Sequence, residues 1–477
     1  MSVLLPVVVT AVGYLIAFFL IPLVLVQRRE SGATLAWVLT LLFLPYLGVF
    51  LFLAIGAQSI RRRRKRRQRA RAIVAPRVAG STEALQKFEG ATARTAPAGL
   101  PETATQLAQL ADELALPACG GNEVGLLIDA DQTYAALEAA IERARSHVHL
   151  EYYIWRPDEV GRRLRDRLVV AAQSGVEVRV LVDDVGSRSA GGRFWKPLTL
   201  AGGHVARSLR VNLISRWLLL NLNNRNHRKI VVIDGVVAFA GGMNVSAVQE
   251  RDTHLRVEGP AAERLQEVFV EDWFHATRED LASPRYFPEP ASRGEALVQI
   301  LASGPDEGDS NAIETIYFAA LTLAKERVWL STPYFVPNVS FTMALRTAAL
   351  RGVDVRLLIP KTPDQPFVYH ASRSFFPELV RAGVSIYEFD GGQLHAKTAT
   401  VDGCWATVGS ANLDTRSFKL NFEANIVVYG PALAGQLERA FERDLGSARP
   451  VSLAEFAGLG RLERTLQGAA RVVAPLL

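Results

Sequence analysis

The chain has 477 residues, 49% of them hydrophobic, and a net charge of +6; at roughly 150 residues per domain this predicts several units with a sizeable core. Its only cysteines, Cys119 and Cys404, lie far apart and outside any metal-ligand spacing, which argues against a disulfide scaffold and against a zinc site. Of 54 basic residues only eight are lysine, so a lysine kept at a particular place carries information.

The hydrophobic excess begins at the amino terminus. Residues 3 to 26 are uncharged, and after QRRESG a second apolar stretch runs from about Ala33 to Ile55. Each is long enough to cross a bilayer core of about 30 Å. Residues 1–60 therefore read as a helical transmembrane or re-entrant hairpin, with Pro6, Pro22 and Pro45 as points where it can bend. A secretory signal fits poorly, because no basic segment leads the first stretch and a second apolar stretch follows at once. Nine Lys or Arg crowd residues 61 to 71, against Arg28 and Arg29 between the two stretches, and the positive-inside rule then puts the bulk of the chain in the cytoplasm. Such a run suits anionic membrane lipids, whereas the lack of an interleaved aromatic residue removes the stacking platform that nucleic acid would use. Residues 61–120 read as this basic juxtamembrane segment and an Ala-, Thr-, Gly- and Pro-rich linker with room for one helix.

Beyond the linker the sequence repeats itself. NHRKIVVIDG at 226–235 and LHAKTATVDG at 394–403 share His, any residue, Lys, four residues, Asp, Gly: His227, Lys229 and Asp234 against His395, Lys397 and Asp402. Gly241 and Gly409 follow their histidines by fourteen residues and Asn244 and Asn412 by seventeen. One such His-x-Lys-x4-Asp by chance is expected about one time in a hundred in a chain so poor in both residues, so two with matching followers mark a duplication. AAQSGVEVRVLVDD at 171–184 and AALRGVDVRLLIP at 348–360 repeat too, as do the strand-like HVHLEYYIW at 147–155 and RVWLSTPYFV at 327–336. Strand, helix, strand, helix and strand hairpin, twice over, predicts two α/β lobes, 121–283 and 284–448, related by a pseudo-twofold axis across which the motifs meet.

Strand alternation puts His227 and Lys229 on one face and turns Arg228 away. Asp-Gly is a type I′ turn signal, which by itself explains Asp234 and Asp402 as well as catalysis does. An imidazole near neutral pH serves as nucleophile, acid or base, and two on opposite sides of a reacting centre can divide that labour. Lysines and amides on the same face form a claw for a five-coordinate phosphorus transition state, with Asn244 and Asn412 completing it and no metal or other cofactor required. Asp252 and Glu423, 25 and 28 residues after their histidines, are candidates for orienting the second ring nitrogen.

HRKIVVID and HAKTATVD, with GGMN and GSAN behind them, resemble the paired HKD motifs of the phospholipase D superfamily. RDTHLRVEGPA, STPYFVP, GSANLDTRSFKLNFEAN and the terminal ARVVAPLL are similar to bacterial phospholipase D-type cardiolipin synthases, and SGATLAWVLTLLFLPYLG to the membrane segment preceding them. The resemblance implies two duplicated phospholipase D-like lobes. It also implies phosphatidyl transfer between two phosphatidylglycerol molecules, giving cardiolipin and glycerol through a phosphohistidine. Carried over, His227 is the nucleophile, His395 the acid and base, Lys229, Lys397, Asn244 and Asn412 the phosphate contacts, and Asp252 and Glu423 the orienting acids. The implied location is the bacterial inner membrane, multi-pass, with the lobes on the cytoplasmic side. A phospholipid hydrolase and a membrane-attached nuclease are the competing readings.

Two stretches stay ambiguous. VNLISRWLLLNLNN at 211–224 reads as a core helix or as a lipid-facing wall, and the amphipathic tail 449–477 as lying on a membrane or docking on the second lobe.

Overall fold

The computed structural model describes residues 4–26, 31–52, 85, 87–88, 100–211, 224–305 and 311–473; most of the basic run's surroundings, the run itself and nearly all of 211–224 lie outside them. The chain divides into two compact units, residues 1–63 with 211–223, and residues 64–210 with 224–477.

In the first unit α1 spans Leu4–Val26, α2 Ser31–Phe43 and α3 Pro45–Leu51. The second apolar stretch is thus two helices rather than one span, because Pro45 lacks the N–H that would continue α2 and instead starts α3. The 13 residues of α2 rise about 20 Å, short of the roughly 30 Å hydrocarbon core. Side chains of α1 are described from Gly13 onward, and among the described residues no helix is long and apolar enough to cross a membrane. The described part of residues 1–60 thus forms helices, as expected of a transmembrane or re-entrant hairpin, and leaves a multi-pass course unconfirmed.

The second unit is organised by one 15-stranded sheet. The first half contributes β1 (Cys119–Ile128), β2 (His147–Tyr152), β3 (Glu177–Asp183), β4 (His204–Ser208), β5 (Ile230–Ile233), β6 (Val237–Gly241) and β8 (Thr253–Glu258), with a two-residue β7 (Glu250–Arg251) outside the sheet. The second contributes β9 (Ala296–Ser303), β10 (Arg327–Ser331), β12 (Asp354–Pro360), β13 (Ser385–Phe389), β15 (Thr398–Val401), β16 (Trp405–Gly409), β18 (Glu423–Tyr429) and β19 (Ala448–Pro450), with short β11 (Phe335–Val336), β14 (Gln393–Leu394) and β17 (Leu413–Asp414) outside it.

The order β1-β8-β6-β5-β2-β3-β4 in one half is matched by β9-β18-β16-β15-β10-β12-β13 in the other. Directions match as well: β2, β3 and β4 run parallel, as do β10, β12 and β13, and the remaining neighbours are antiparallel. β1 and β9 join the halves as an antiparallel pair, Cys119 opposite Val298, so the duplication expected from the motifs is built around a continuous sheet. Central strands such as β2 and β3 are buried along nearly their whole length, as parallel strands covered on both faces must be.

Helices Pro260–Thr277 and Pro431–Leu445 follow β8 and β18 and cover the junction. Both start at Gly-Pro: Gly259 and Gly430 sit at φ +119° and +108°, where an L side chain is strained, and the proline supplies the first helical residue. The linker's helix, Glu102–Leu114, buries Ala104, Leu107, Ala108 and Ala111 in the second lobe's core against Ala312–Leu323. The tail takes the docked course as far as it is described: helix Arg461–Val473 packs on Pro366–Arg373, with Arg471 bound to Glu378 at 2.8 Å.

Candidate active site

Both motifs are hairpins that turn at Asp-Gly. Asp234 and Asp402 take φ +53° and +49°, followed by Gly235 and Gly403 at +70° and +61°, the type I′ signature. The Asp234 carboxylate accepts the backbone N–H of Arg145, Ser146 and His147 at 2.7–2.9 Å. Asp402 does the same for Lys325, Glu326 and Arg327 at 2.8–3.2 Å and takes Thr103 Oγ1–H besides. Each lies seven residues beyond its histidine, about 23 Å of extended chain. Of the two roles open to them in the sequence, the contacts match the structural one: these carboxylates tie the turn to the start of the neighbouring strand.

The histidines stand at the other end. His227 Nδ1 is 3.0 Å from Glu423 Oε2, and His395 Nδ1 is 2.7 Å from Asp252 Oδ2. The acids do not serve the histidines preceding them in sequence; they are exchanged between lobes. The backbone enforces this exchange. His227 N donates to Phe422 O and His395 N to Arg251 O, both at 2.9 Å, so each histidine is stitched to the residue just before the opposite lobe's acid. β14 pairs in parallel with β7, and Asn226 bridges Phe422.

Burial pushes the His227 imidazole down to about 4 against the opposing pull of Glu423, with Lys229 adding to the fall. The ring is neutral at pH 7, and with Nδ1 engaged by Glu423 its Nε2 is left for chemistry. Burial pushes the acids the other way, yet Lys397 and His395 hold Asp252, and His227 and Lys229 hold Glu423, below the usual carboxylate range. Lys229 is pushed down to about 7 by burial, and Lys397 is lowered for the same reason. Each lysine donates to the carbonyl of its own motif's histidine, Lys229 at 2.6 Å. Two buried cations that shed protons readily favour an arriving anion, whose charge restores theirs.

Asn244 and Asn412 are both buried. Asn244 takes the Ile154 N–H on Oδ1 at 3.3 Å, whereas Asn412 Oδ1 is buried with no hydrogen-bond partner among the described residues.

Several contributors escaped sequence reasoning. Tyr153, in the predicted strand 147–155, lays its ring 4.8 Å from that of His227, edge to face, and 5.4 Å from Lys229 Nζ. Ser410 Oγ–H bonds Glu423 Oε2; its repeat partner is Gly242, where a Cβ would come within 2.2 Å of Asp252 Oδ1. Gly-Gly against Gly-Ser was visible in the repeat, but not what it made room for. Arg228 does turn away from the histidine face, and there it reaches Glu423 O at 3.0 Å, Ser303 O at 3.1 Å and the Asp272 carboxylate. Glu250 lies 3.1 Å from His395 Nδ1. Glu250, Asp252 and His395 bring ligand atoms within 4.8 Å of one another; Asp252 is hydrogen-bonded to the ring nitrogen, and Glu250 stands at ion-pair distance from the same atom.

A duplicated sheet whose two HKD hairpins meet through exchanged His–carboxylate pairs defines the phospholipase D class of fold and site. The family model described as the phospholipase D-like domain of cardiolipin synthase matches residues 137–273 and 317–445, and a phospholipase D-nuclease N-terminal model matches 11–56. The chain is 38% identical over 466 residues to a cardiolipin synthase of Geobacillus thermodenitrificans, covering 94% of this chain and 90% of that one. It is 36% identical over 467 residues to the major cardiolipin synthase ClsA of Bacillus subtilis, covering 94% and 95%. Among solved structures it resembles the phosphatidylserine synthase of Haemophilus influenzae, with a TM-score of 0.59 at 14% identity over 78% of this chain and 100% of that one. The chain belongs to the cardiolipin synthase family of phospholipase D-like phosphatidyltransferases.

Proposed function

We propose that the protein joins two phosphatidylglycerol molecules into cardiolipin, releasing glycerol, at the bacterial cytoplasmic membrane. The observation that carries this reading is the pair of exchanged dyads, His227–Glu423 and His395–Asp252, set among two buried lysines. In the first half-reaction neutral His227 Nε2 attacks the donor phosphorus while Glu423 accepts the Nδ1–H and stabilises the charge that develops on the ring. The P–O bond to the glycerol headgroup breaks, and His395 gives that oxygen its proton. In the second, His395 takes the hydroxyl proton of the acceptor's glycerol, the alkoxide attacks phosphorus, and the P–N bond to His227 breaks. Lys229, Lys397, Asn244 and Asn412 bear on the non-bridging oxygens, whose charge is greatest in the five-coordinate state.

Membrane attachment is supported by α1 and α2, where Phe18, Phe19 and Phe43 are 69%, 66% and 76% exposed, an apolar display suited to lipid. Hydrolysis uses the same dyads with water as acceptor. Incubating the detergent-solubilised protein with phosphatidylglycerol and weighing products by mass spectrometry separates the two. Cardiolipin with an equal amount of glycerol, undiminished by EDTA, is expected; phosphatidic acid as sole lipid product would overturn the transferase reading.

A further inference from the structure

The two dyads are alike in backbone but not in charge. Asp252 and Glu423 occupy matching places, each one residue after the carbonyl that receives the opposite histidine's N–H. Two residues before them stand Glu250 in one lobe and Asn421 in the other. His395 Nδ1 therefore meets two carboxylates, Asp252 at 2.7 Å and Glu250 at 3.1 Å. His227 Nδ1 meets one, Glu423 at 3.0 Å, and that one is diluted: Ser410 Oγ–H bonds the same oxygen, and Asn421 Nδ2–H reaches the other at 3.3 Å.

The other charges near His395 do not restore the balance. Lys397, two residues on in the same motif, turns its ammonium to the His395 carbonyl. Arg251, between the two acids, points its guanidinium into Asp444 at 2.8 Å, with Asp129 at 3.6 Å. Both buried lysines act on both dyads, Lys229 and Lys397 on His227 and also on Asp252 and Glu250, so the carboxylates and not the lysines distinguish the two rings. An opposite charge within about 4–6 Å favours the charged form of a group, so a second carboxylate on one ring and an amide on the other bias the proton toward the first.

We infer that Glu250, set against Asn421, is the positioning residue that divides labour between the pseudo-symmetric histidines: it gives His395 the transferable proton and leaves His227 the free lone pair. The inference rests on the covalent-transfer reading above and adds to it the reason why one histidine, rather than either, is the nucleophile. Glu250 acts through His395 and touches no reacting atom.

Reciprocal exchange of the two side chains tests it. The P–N bond of phosphohistidine is acid-labile, so the lipid-labelled intermediate is trapped by rapid quench at alkaline pH and mapped by peptide mass spectrometry. The wild type is expected to carry the phosphatidyl label on His227, and Glu250→Asn/Asn421→Glu to carry at least half of it on His395. Label that stays wholly on His227 in a doubly exchanged protein that still turns over overturns the inference. Label on His395 in the wild type overturns it as well, while leaving covalent transfer intact; turnover with no label on either ring refutes the covalent reading itself. The isosteric Glu250→Gln covers the case of an exchange that fails to fold. It too is expected to move part of the phosphatidyl label from His227 to His395, and label that stays wholly on His227 in an active Glu250→Gln protein overturns the inference.

Discussion

The two lobes share strand order and strand direction, yet the ground beneath their histidines is built from different chemistry. Under His227 lies a buried polar network. Arg225 pairs with Asp183 at 3.5 Å, Asn226 bonds Glu151, and Arg228 bonds Asp272 while holding the carbonyl of Glu423. Burial and the nearby Asp272 carboxylate raise Glu151 well above the carboxylate range. Under His395 the flanking Leu394 and Ala396 sit instead in an apolar cluster with Trp329, Leu358 and Phe441. Even the ring stacked below is exchanged: His149 on Phe269 in the first lobe, Trp329 on Phe441 in the second. Replacing a buried ion pair by apolar packing is often neutral or stabilising, so the charged floor is no aid to stability. What it supplies is a fixed position: Arg228 grips the segment that carries the acid opposite His227.

The largest expected effect concerns the histidines themselves. Alanine at His227 or His395 should lower cardiolipin formation by about three orders of magnitude or more, but the two losses differ in kind. His395→Ala should still accumulate phosphatidyl label on His227, slowly, because only the leaving-group proton is missing, whereas His227→Ala should show none. The reverse pattern in a quench experiment would swap the roles of the lobes.

Next in size is the exchange of acids between lobes. Glu423→Gln should cost roughly a hundredfold in kcat through the orientation of His227. Combined with His227→Ala it should cost nothing further, although it lies 196 residues away in sequence. A double-mutant cycle in which Glu423 couples instead to His395 would contradict the exchanged dyads.

That exchange also marks where sequence reasoning stopped. The paired motifs, the asparagines, the acids and the duplicated lobes were legible because repetition at fixed spacing exposes whatever both copies retain. The central strands were legible from β-branched runs such as IVVI. The partnership of His227 with Glu423 was not, since spacing ties each acid to the histidine just before it, and only the β7–β14 pairing and the Asn226 bridge bring the opposite one near. Glu250 and Arg228 were illegible for a related reason: each belongs to one lobe alone, so the repeat carried no signal of it. Pro45 was legible as a possible bend, but the apolar composition around it did not say that the second stretch would divide there into two helices.

Acid should separate the lobes by stability rather than by rate. His147 and His254 are pushed down to about 4 by burial, and His149 is lowered by burial as well; all three lie in β2 and β8 of the first lobe. A ring kept neutral in the fold but ordinary when unfolded supports the native state above pH 6.5, and that support is lost as pH falls toward 4. At pH 5 the loss approaches about 2 kcal/mol for each of His147 and His254. Amide hydrogen exchange from pH 7 to pH 5 should therefore speed up, after correction for intrinsic rates, in β2 and β8 but not in β10 and β18. Equal acceleration in both lobes would show that the apolar floor confers no acid resistance.

The smallest effect on catalysis is expected at the aspartates that complete the HKD name. Asp234→Ala and Asp402→Ala each remove a carboxylate that holds three backbone N–H groups and place alanine where φ is positive. About 2 kcal/mol of stability should go with either, while kcat in the protein that remains folded should stay within about threefold. Asp402 should be the costlier of the two, because it also receives Thr103 at 3.2 Å and so anchors the linker's helix to the second lobe. Asparagine, which tolerates the left-handed conformation and keeps one acceptor oxygen, should recover part of the melting temperature at both sites. A hundredfold loss of kcat in well-folded Asp402→Asn would return this carboxylate to the chemistry; a lowered melting temperature with intact turnover leaves it as the hinge pin of the hairpin whose far end carries His395.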